Sequence, residues 1–194
     1  MMDDYETEPL KQPYNIDDVN PPRIWSDEEL FELAIPEIKK WEGFIPQTKI
    51  PTKGDKYTIG HGHTGRYAKP GATMTEEEAD KILREEDYPS HLKRISDMVP
   101  GFNQLPLDVA VQMAQSAFRG GITGSPDTVE LINERAFGKA SKEFLDHDEY
   151  RKAKRTGVRA GIVPRMDKVS NTLKRHAIQP KLGMITGKPS YREL

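Results

Sequence analysis

The segment Leu107–Phe118, Leu-Asp-Val-Ala-Val-Gln-Met-Ala-Gln-Ser-Ala-Phe, is the most apolar helix-length stretch of the chain. A helix that is apolar on most of its faces has to be buried, so this segment predicts a core helix, stopped by Gly120-Gly121. The rest of the chain must supply partners for it, and 35% hydrophobic residues in 194 are enough for one core. No run approaches the ~18 apolar residues of a membrane-spanning helix. The acidic start Met1-Met2-Asp3-Asp4 has no apolar h-region, so no secretory signal peptide is expected. The chain has no cysteine, which excludes a disulfide framework, cysteine-ligated zinc and a cysteine nucleophile.

A net charge of −2 conceals an asymmetry. Residues 1–40 carry eleven Asp/Glu against four Lys/Arg, whereas residues 41–194 carry 25 Lys/Arg against 20 Asp/Glu. The basic excess peaks at 149–175, with nine Lys/Arg against Glu149 and Asp167. An acidic arm on a body with a basic face suits an anionic polymer partner, though a solvated charged face fits the same pattern. Apart from Tyr150 the basic run lacks interleaved aromatics and matches no nucleic-acid-binding module, so no nucleic-acid partner is expected.

Three regions follow from the pattern. Residues 1–25 hold Pro9, Pro13, Pro21 and Pro22, lack periodicity and read as an acidic arm. Residues 26–176 read as a folded domain. Residues 177–194 return to Pro and Gly as a C-terminal tail. Within the domain, Ser26-Asp27-Glu28-Glu29 has capping-box form and opens an apolar-striped helix to Trp41, with a break or kink expected at Pro36 and an end at Gly43. Thr48–Thr52 and Lys56–Gly60 read as two strands around Lys53-Gly54-Asp55, the first demoted to an edge by Pro51. Further helices are expected from Thr75 to about Glu86, then over Thr128–Ala136, Gly138–Asp146 and Val163–Arg175. The fold class is α+β: a small β-hairpin lobe followed by a larger helical lobe.

Chemistry concentrates at the start of that hairpin. A carboxyl at the C-terminal end of a helix feels the negative end of the macrodipole, and Trp41 and Phe44 would desolvate it. Both effects favour the protonated form of Glu42, which is what a general acid requires. Taken by itself, Glu42 also fits an ordinary exposed glutamate at a helix end. His61 and His63 alternate on one strand, but with no third ligand evident no metal site is expected.

Trp41-Glu42-Gly43-Phe44, followed by Tyr57-Thr58-Ile59-Gly60-His61-Gly62-His63-Thr64-Gly65, resembles the phage-type lysozymes, the family 24 glycoside hydrolases. The order continues through Met74–Leu83, Ala117-Phe118-Arg119-Gly120-Gly121, Thr128–Asn133 and Gly161–Arg165, over about residues 34–175. The resemblance implies a lysozyme-like fold and a muramidase cutting the β-1,4 bond between N-acetylmuramic acid and N-acetylglucosamine in peptidoglycan, with no cofactor. It implies that Glu42 is the general acid, that Thr58 helps hold the catalytic water, and that Arg165 pairs with Glu42. It also implies that His63 pairs with an acid on the following helix, for which Glu86 is the expected partner. Thr64, Phe118 and Thr128 fall on segments expected to meet substrate.

The chain departs from the family where a second carboxylate would stand six residues before the threonine. That position is Thr52, and Asp55 is the hairpin's only carboxylate. Inverting hydrolysis uses two carboxyl groups with a water between them. Three chemical routes stay open: Asp55 folded inward as base, Thr52 and Thr58 holding the water without a strong base, or attack by the sugar's own 6-hydroxyl with Glu42 alone, as in lytic transglycosylases. A non-catalytic lysozyme-like assembly protein is the fourth reading. The two terminal segments suggest docking on virion proteins, hence a virion-associated lysin, or an endolysin held in the host cytoplasm before lysis.

Overall fold

A computed structural model describes residues 24–51 and 54–178. It confirms the α+β class, with a two-stranded hairpin in an otherwise helical molecule. Helix α1 spans Asp27–Glu42, strands β1 and β2 span Ile45–Lys49 and Thr58–Gly60, and helices α2 and α3 span Glu76–Ile82 and Tyr88–Met98. Then come α4 (Leu107–Phe118), α5 (Pro126–Asn133), α6 (Phe137–Glu143), α7 (Asp148–Thr156) and α8 (Ile162–Arg175).

Helix α4 is the buried core helix that its composition demands. Every side chain from Val109 to Ala117 is buried, and α1, α3 and α8 pack around it. Leu30, Ile38, Met113, Ile132, Phe144 and Leu173 are among the fully enclosed side chains. The core also takes in Trp25, placed in the arm by its sequence context. Its indole N–H donates to Leu105 O at 2.9 Å and its ring meets Phe102 edge-on at 5.3 Å. Residues 1–23 of the expected arm and nearly all of the expected tail lie outside the described residues, as does Thr52.

Helix α1 begins where Ser26 Oγ accepts from Glu29 N–H. Its first turn is acidic and its last basic, matching the macrodipole. It runs on through Pro36, which does not end it, and stops at Gly43, whose φ of +69° suits glycine. Thr75 and Glu78 form the full reciprocal capping box of α2. The chain stays helical well past Glu86. A π turn over Leu83–Asp87 joins α2 to α3, and Pro89, lacking an N–H, accounts for the widened turn. Helix α7 is absent from the sequence reading because only Tyr150 and Ala153 of its nine residues are buried, too narrow a stripe within a charge run.

In the hairpin lobe β1 lies three residues earlier than expected. It pairs antiparallel with β2, Ile45 opposite Gly60 and Lys49 opposite Thr58. Its other edge is held by the segment before α2: Thr48 N–H donates to Ala72 O and Met74 N–H to Pro46 O, both at 2.9 Å. That second set of partners, distant in sequence, shifts the strand. After β2 the chain doubles back at once, Ile59 and His63 exchanging both backbone hydrogen bonds around Gly60-His61-Gly62.

Candidate active site

Glu42 is the last residue of α1, and the Gly60–Gly62 turn lies against it. An ideal Cβ on Gly62 would stand 3.4 Å from Glu42 Oε2, and the φ of Gly62 is +91°. Across from the turn, Arg165 in the first turns of α8 donates from Nη1 to Glu42 Oε1 at 2.7 Å. The same guanidinium donates from Nε to Gln115 Oε1 at 2.8 Å and from Nη2 to Gln115 O at 2.5 Å. Gln115 is fully buried on α4 and donates in turn to Gln112 Oε1 at 3.4 Å. Burial lowers the affinity of the Arg165 guanidinium for its proton, and the Glu42 carboxylate acts in the opposite direction.

This arrangement divides the two oxygens of Glu42. Oε1 is engaged by Arg165, and Oε2 is turned toward the hairpin. A carboxyl held through one oxygen keeps the other free to carry and deliver a proton. The pairing of Arg165 with Glu42 is as expected.

Thr58 is buried on β2, and its hydroxyl donates to Lys56 O at 3.2 Å. With its proton so used, the hydroxyl oxygen keeps lone pairs to accept a hydrogen bond from water. Asp55 is exposed and has no hydrogen bond or ion pair among the described residues. No contact there folds it inward.

Two expectations are corrected. His63 pairs with Asp87, not Glu86: Nδ1 lies 3.0 and 3.1 Å from the two carboxylate oxygens. The π turn rotates the next residue into reach, while Glu86 binds Arg66 and accepts from the Tyr67 hydroxyl at 3.0 Å. Arg66 above all holds the Glu86 carboxyl below the usual range. Thr128 is 1% exposed inside α5, sealed from any substrate. Thr64 is exposed in the loop after the turn. Phe118 is half-buried at the end of α4, its ring 4.3 Å from that of His91, whose charged form burial disfavours.

The sequence reading missed Gln115, Asp87 and the partners of His61. His61 is 3% exposed; Nδ1 lies 2.6 Å from Gly43 O and Nε2 lies 2.8 Å from Asp80 Oδ1. His61 and His63 thus turn to different acids and share no ligand position. His61, Glu76 and Asp80 do converge, but the Lys39 ammonium already lies among them, 2.8 Å from Asp80 and 3.3 Å from Glu76. A capping-box glutamate at position 78 was a signal that Glu76 and Asp80 lie on an ordered helix, though not that they face the hairpin.

Among known proteins, the phage lysozyme family matches residues 39–168. The endolysin of Bacillus phage B103 is 31% identical over 124 residues, covering 59% of this chain and 43% of that protein. The chain therefore spans less than half the length of that relative. The muramidase domain of SpmX from Asticaccaulis excentricus superposes with a TM-score of 0.55 at 25% identity, over 81% of this chain and 99% of that one.

Proposed function

The chain belongs to the phage lysozyme family, and on that premise we propose that it cleaves peptidoglycan as a muramidase at the β-1,4 bond between N-acetylmuramic acid and N-acetylglucosamine. The observation that carries this reading is the division of Glu42, with Oε1 bound by Arg165 at 2.7 Å and Oε2 facing the hairpin turn. Glu42 protonates the leaving glycosidic oxygen from Oε2. Arg165 keeps the carboxyl in place before the transfer and offsets the negative charge it carries afterwards.

Hydrolysis is the favoured outcome, because Thr58 retains a hydroxyl able to accept from a water on the opposite side of the bond. The base that activates this water is Asp55 if the turn folds it inward. Otherwise Thr52 and Thr58 hold the water between them. The competing reading is a lytic transglycosylase, favoured by one specific observation: Asp55 stands exposed without a partner among the described residues.

The experiment is digestion of purified peptidoglycan with the wild type and with Glu42→Gln, followed by mass analysis of the new chain ends. A reducing end from the wild type, with a rate about 10²–10⁴-fold lower for Glu42→Gln, is the expected result. A 1,6-anhydro end establishes the transglycosylase, and an undiminished Glu42→Gln rate removes Glu42 as the acid.

The acidic segment 1–25 carries Tyr5, Leu10, Tyr14 and Ile16 among its prolines. Its charge has the sign of anionic wall polymers, so it does not reinforce wall binding. It serves as a docking segment for a virion protein with a basic groove, which makes this a virion-associated lysin. The endolysin reading, with the protein held in the host cytoplasm until lysis, is the alternative that particle fractionation distinguishes.

A further inference from the structure

His61 is buried beside Glu42, and the chemistry above gives it no part. Its two ring nitrogens meet two groups that only accept hydrogen bonds. Gly43 O, 2.6 Å from Nδ1, is a backbone carbonyl. Asp80, 2.8 Å from Nε2, is a carboxylate. Burial works against the charge of Asp80, but hydrogen bonds from Lys39 and His61 outweigh it and hold the carboxyl below its usual range. A neutral imidazole has one N–H and can satisfy only one of these partners, whereas the imidazolium has two. Both contacts are made together only by the doubly protonated ring.

The position of the ring gives this consequence. Gly43 directly follows Glu42, and its carbonyl lies beyond the hydrogen-bond ladder of α1. Asp80 is on α2, and His61 itself is the middle residue of the Gly60–Gly62 turn that faces Glu42 Oε2. One ring therefore ties the end of the glutamate-bearing helix to the hairpin turn and to α2. Among the described residues, the charged groups gathered at the ring are Lys39 on α1 and Glu76 and Asp80 on α2; Glu42 stands against the adjoining Gly62, and His63 faces Asp87. Lys39 shares Asp80 with the ring and also meets Glu76, so an ammonium and an imidazole gather with two carboxylates near the end of α1.

We propose that His61 is a positioning residue for the acid, a doubly protonated bolt that holds Glu42 in register with the Gly60–Gly62 turn and releases it when the ring loses a proton. The proposal rests on the reading of Glu42 as the acid. The direction follows from the two acceptors: the positioned state belongs to the doubly protonated ring, so kcat falls as pH rises, while KM changes little.

The test has one arm that needs no activity. Nitrogen-detected NMR of the full chain carrying Glu42→Gln, at neutral pH, reads the protonation of each His61 ring nitrogen. Protons on both nitrogens are expected, and a neutral single tautomer overturns the proposal. The second arm is the pH profile of kcat on soluble uncross-linked peptidoglycan chains for the wild type and Asp80→Asn. The asparagine amide donates to Nε2, so a neutral His61 then satisfies both partners. The alkaline fall of kcat should move upward by at least one pH unit. Superposable profiles for the two proteins overturn the positioning role, even if the ring is protonated. His61→Gln, which cannot bridge Gly43 and Asp80, should lose at least tenfold in kcat with KM within about twofold; wild-type kcat in a folded His61→Gln also overturns it. If Glu42→Gln keeps full activity, the acid assignment fails by itself, and the NMR result still reports on His61.

Discussion

Arg165 and Glu42 are 123 positions apart in the chain and 2.7 Å apart in space. The bond closes the helical lobe onto the end of α1, and Gln115 fixes the guanidinium from behind through two further bonds. One planar group with donors in a fixed fork serves all three acceptors.

Arg165→Lys should therefore act as a large change. A single ammonium cannot span Gln115 O, Gln115 Oε1 and Glu42 Oε1 in this geometry. We expect wall-clearing activity to fall by about 10–10²-fold, the effect of a misplaced catalytic group, with the fold retained by circular dichroism. Arg165→Ala leaves the side-chain and backbone oxygens of buried Gln115 without their donor and Glu42 without its counter-charge. It should cost about 3 kcal/mol of stability in urea unfolding, the low end for a broken buried pair because Glu42 remains partly open. A Lys variant of undiminished activity contradicts the role given to the fork.

Asp55, Thr58 and Thr52 can be separated by substitution and product analysis. Thr58→Val removes the hydroxyl in nearly the same volume and should reduce hydrolysis about 10-fold or more if the hydroxyl positions water. Asp55→Asn abolishes hydrolysis if Asp55 is the base, whereas a silent Asp55→Asn with a 1,6-anhydro product assigns the single-acid route. Thr52→Asp should raise the hydrolytic rate by supplying the carboxylate that the resemblance leads one to expect there.

Gly62→Ala tests the closeness of the turn to the acid. At φ +91° an alanine is strained by about 1–2 kcal/mol, which thermal unfolding will show as a lower midpoint. Its methyl group would also stand 3.4 Å from Glu42 Oε2 and cover the free oxygen. Activity should fall by at least 10-fold at temperatures where the variant is fully folded. A loss of stability with no loss of activity would show that substrate reaches Glu42 from another side.

Deletion of residues 1–23 should leave specific activity on isolated walls within a few-fold of the full chain and remove the protein from assembled particles. Extending the deletion through Trp25 takes away a core side chain and its bond to Leu105 O. That truncation should cost about 3–5 kcal/mol, the range for removing a buried tryptophan. Particles that keep the 1–23 deletion would overturn the docking role of the arm.

The positions read correctly in the sequence are those whose signal is local. Ser26 and Thr75 mark helix starts because a cap and its partner lie within four residues. Gly43 marks an end because few other residues take its backbone angle, and Leu107–Phe118 is buried because its own composition leaves no alternative. Glu42, Thr58 and Arg165 stand out mainly through short ordered motifs, and of these the contact between Arg165 and Glu42 is what the fold displays. The readings that failed depended on rotation or on a distant partner. Glu86 and Asp87 are adjacent acids, and the π turn, five residues with Pro89 just beyond it, decides which faces His63. Strand β1 took its bounds from residues 72–74, and Trp25 joined the core through Leu105, 80 positions away.

Patterning along the chain was thus sufficient for most helices of the helical lobe, for the presence of the hairpin and for the end of α1 at Glu42, because caps, turn glycines and apolar stripes act over one or two turns of backbone. The surroundings of Glu42 depend on contacts no local pattern encodes. Gln115 reads in the sequence as a polar interruption of an apolar helix, and His61 as one of two histidines on a strand. Only when α4, α8 and the hairpin turn close around the end of α1 do the first orient Arg165 and the second bridge Gly43 to Asp80. Hydrogen bonds act over about 3 Å, and bringing groups from five separate elements within that distance is the work of packing.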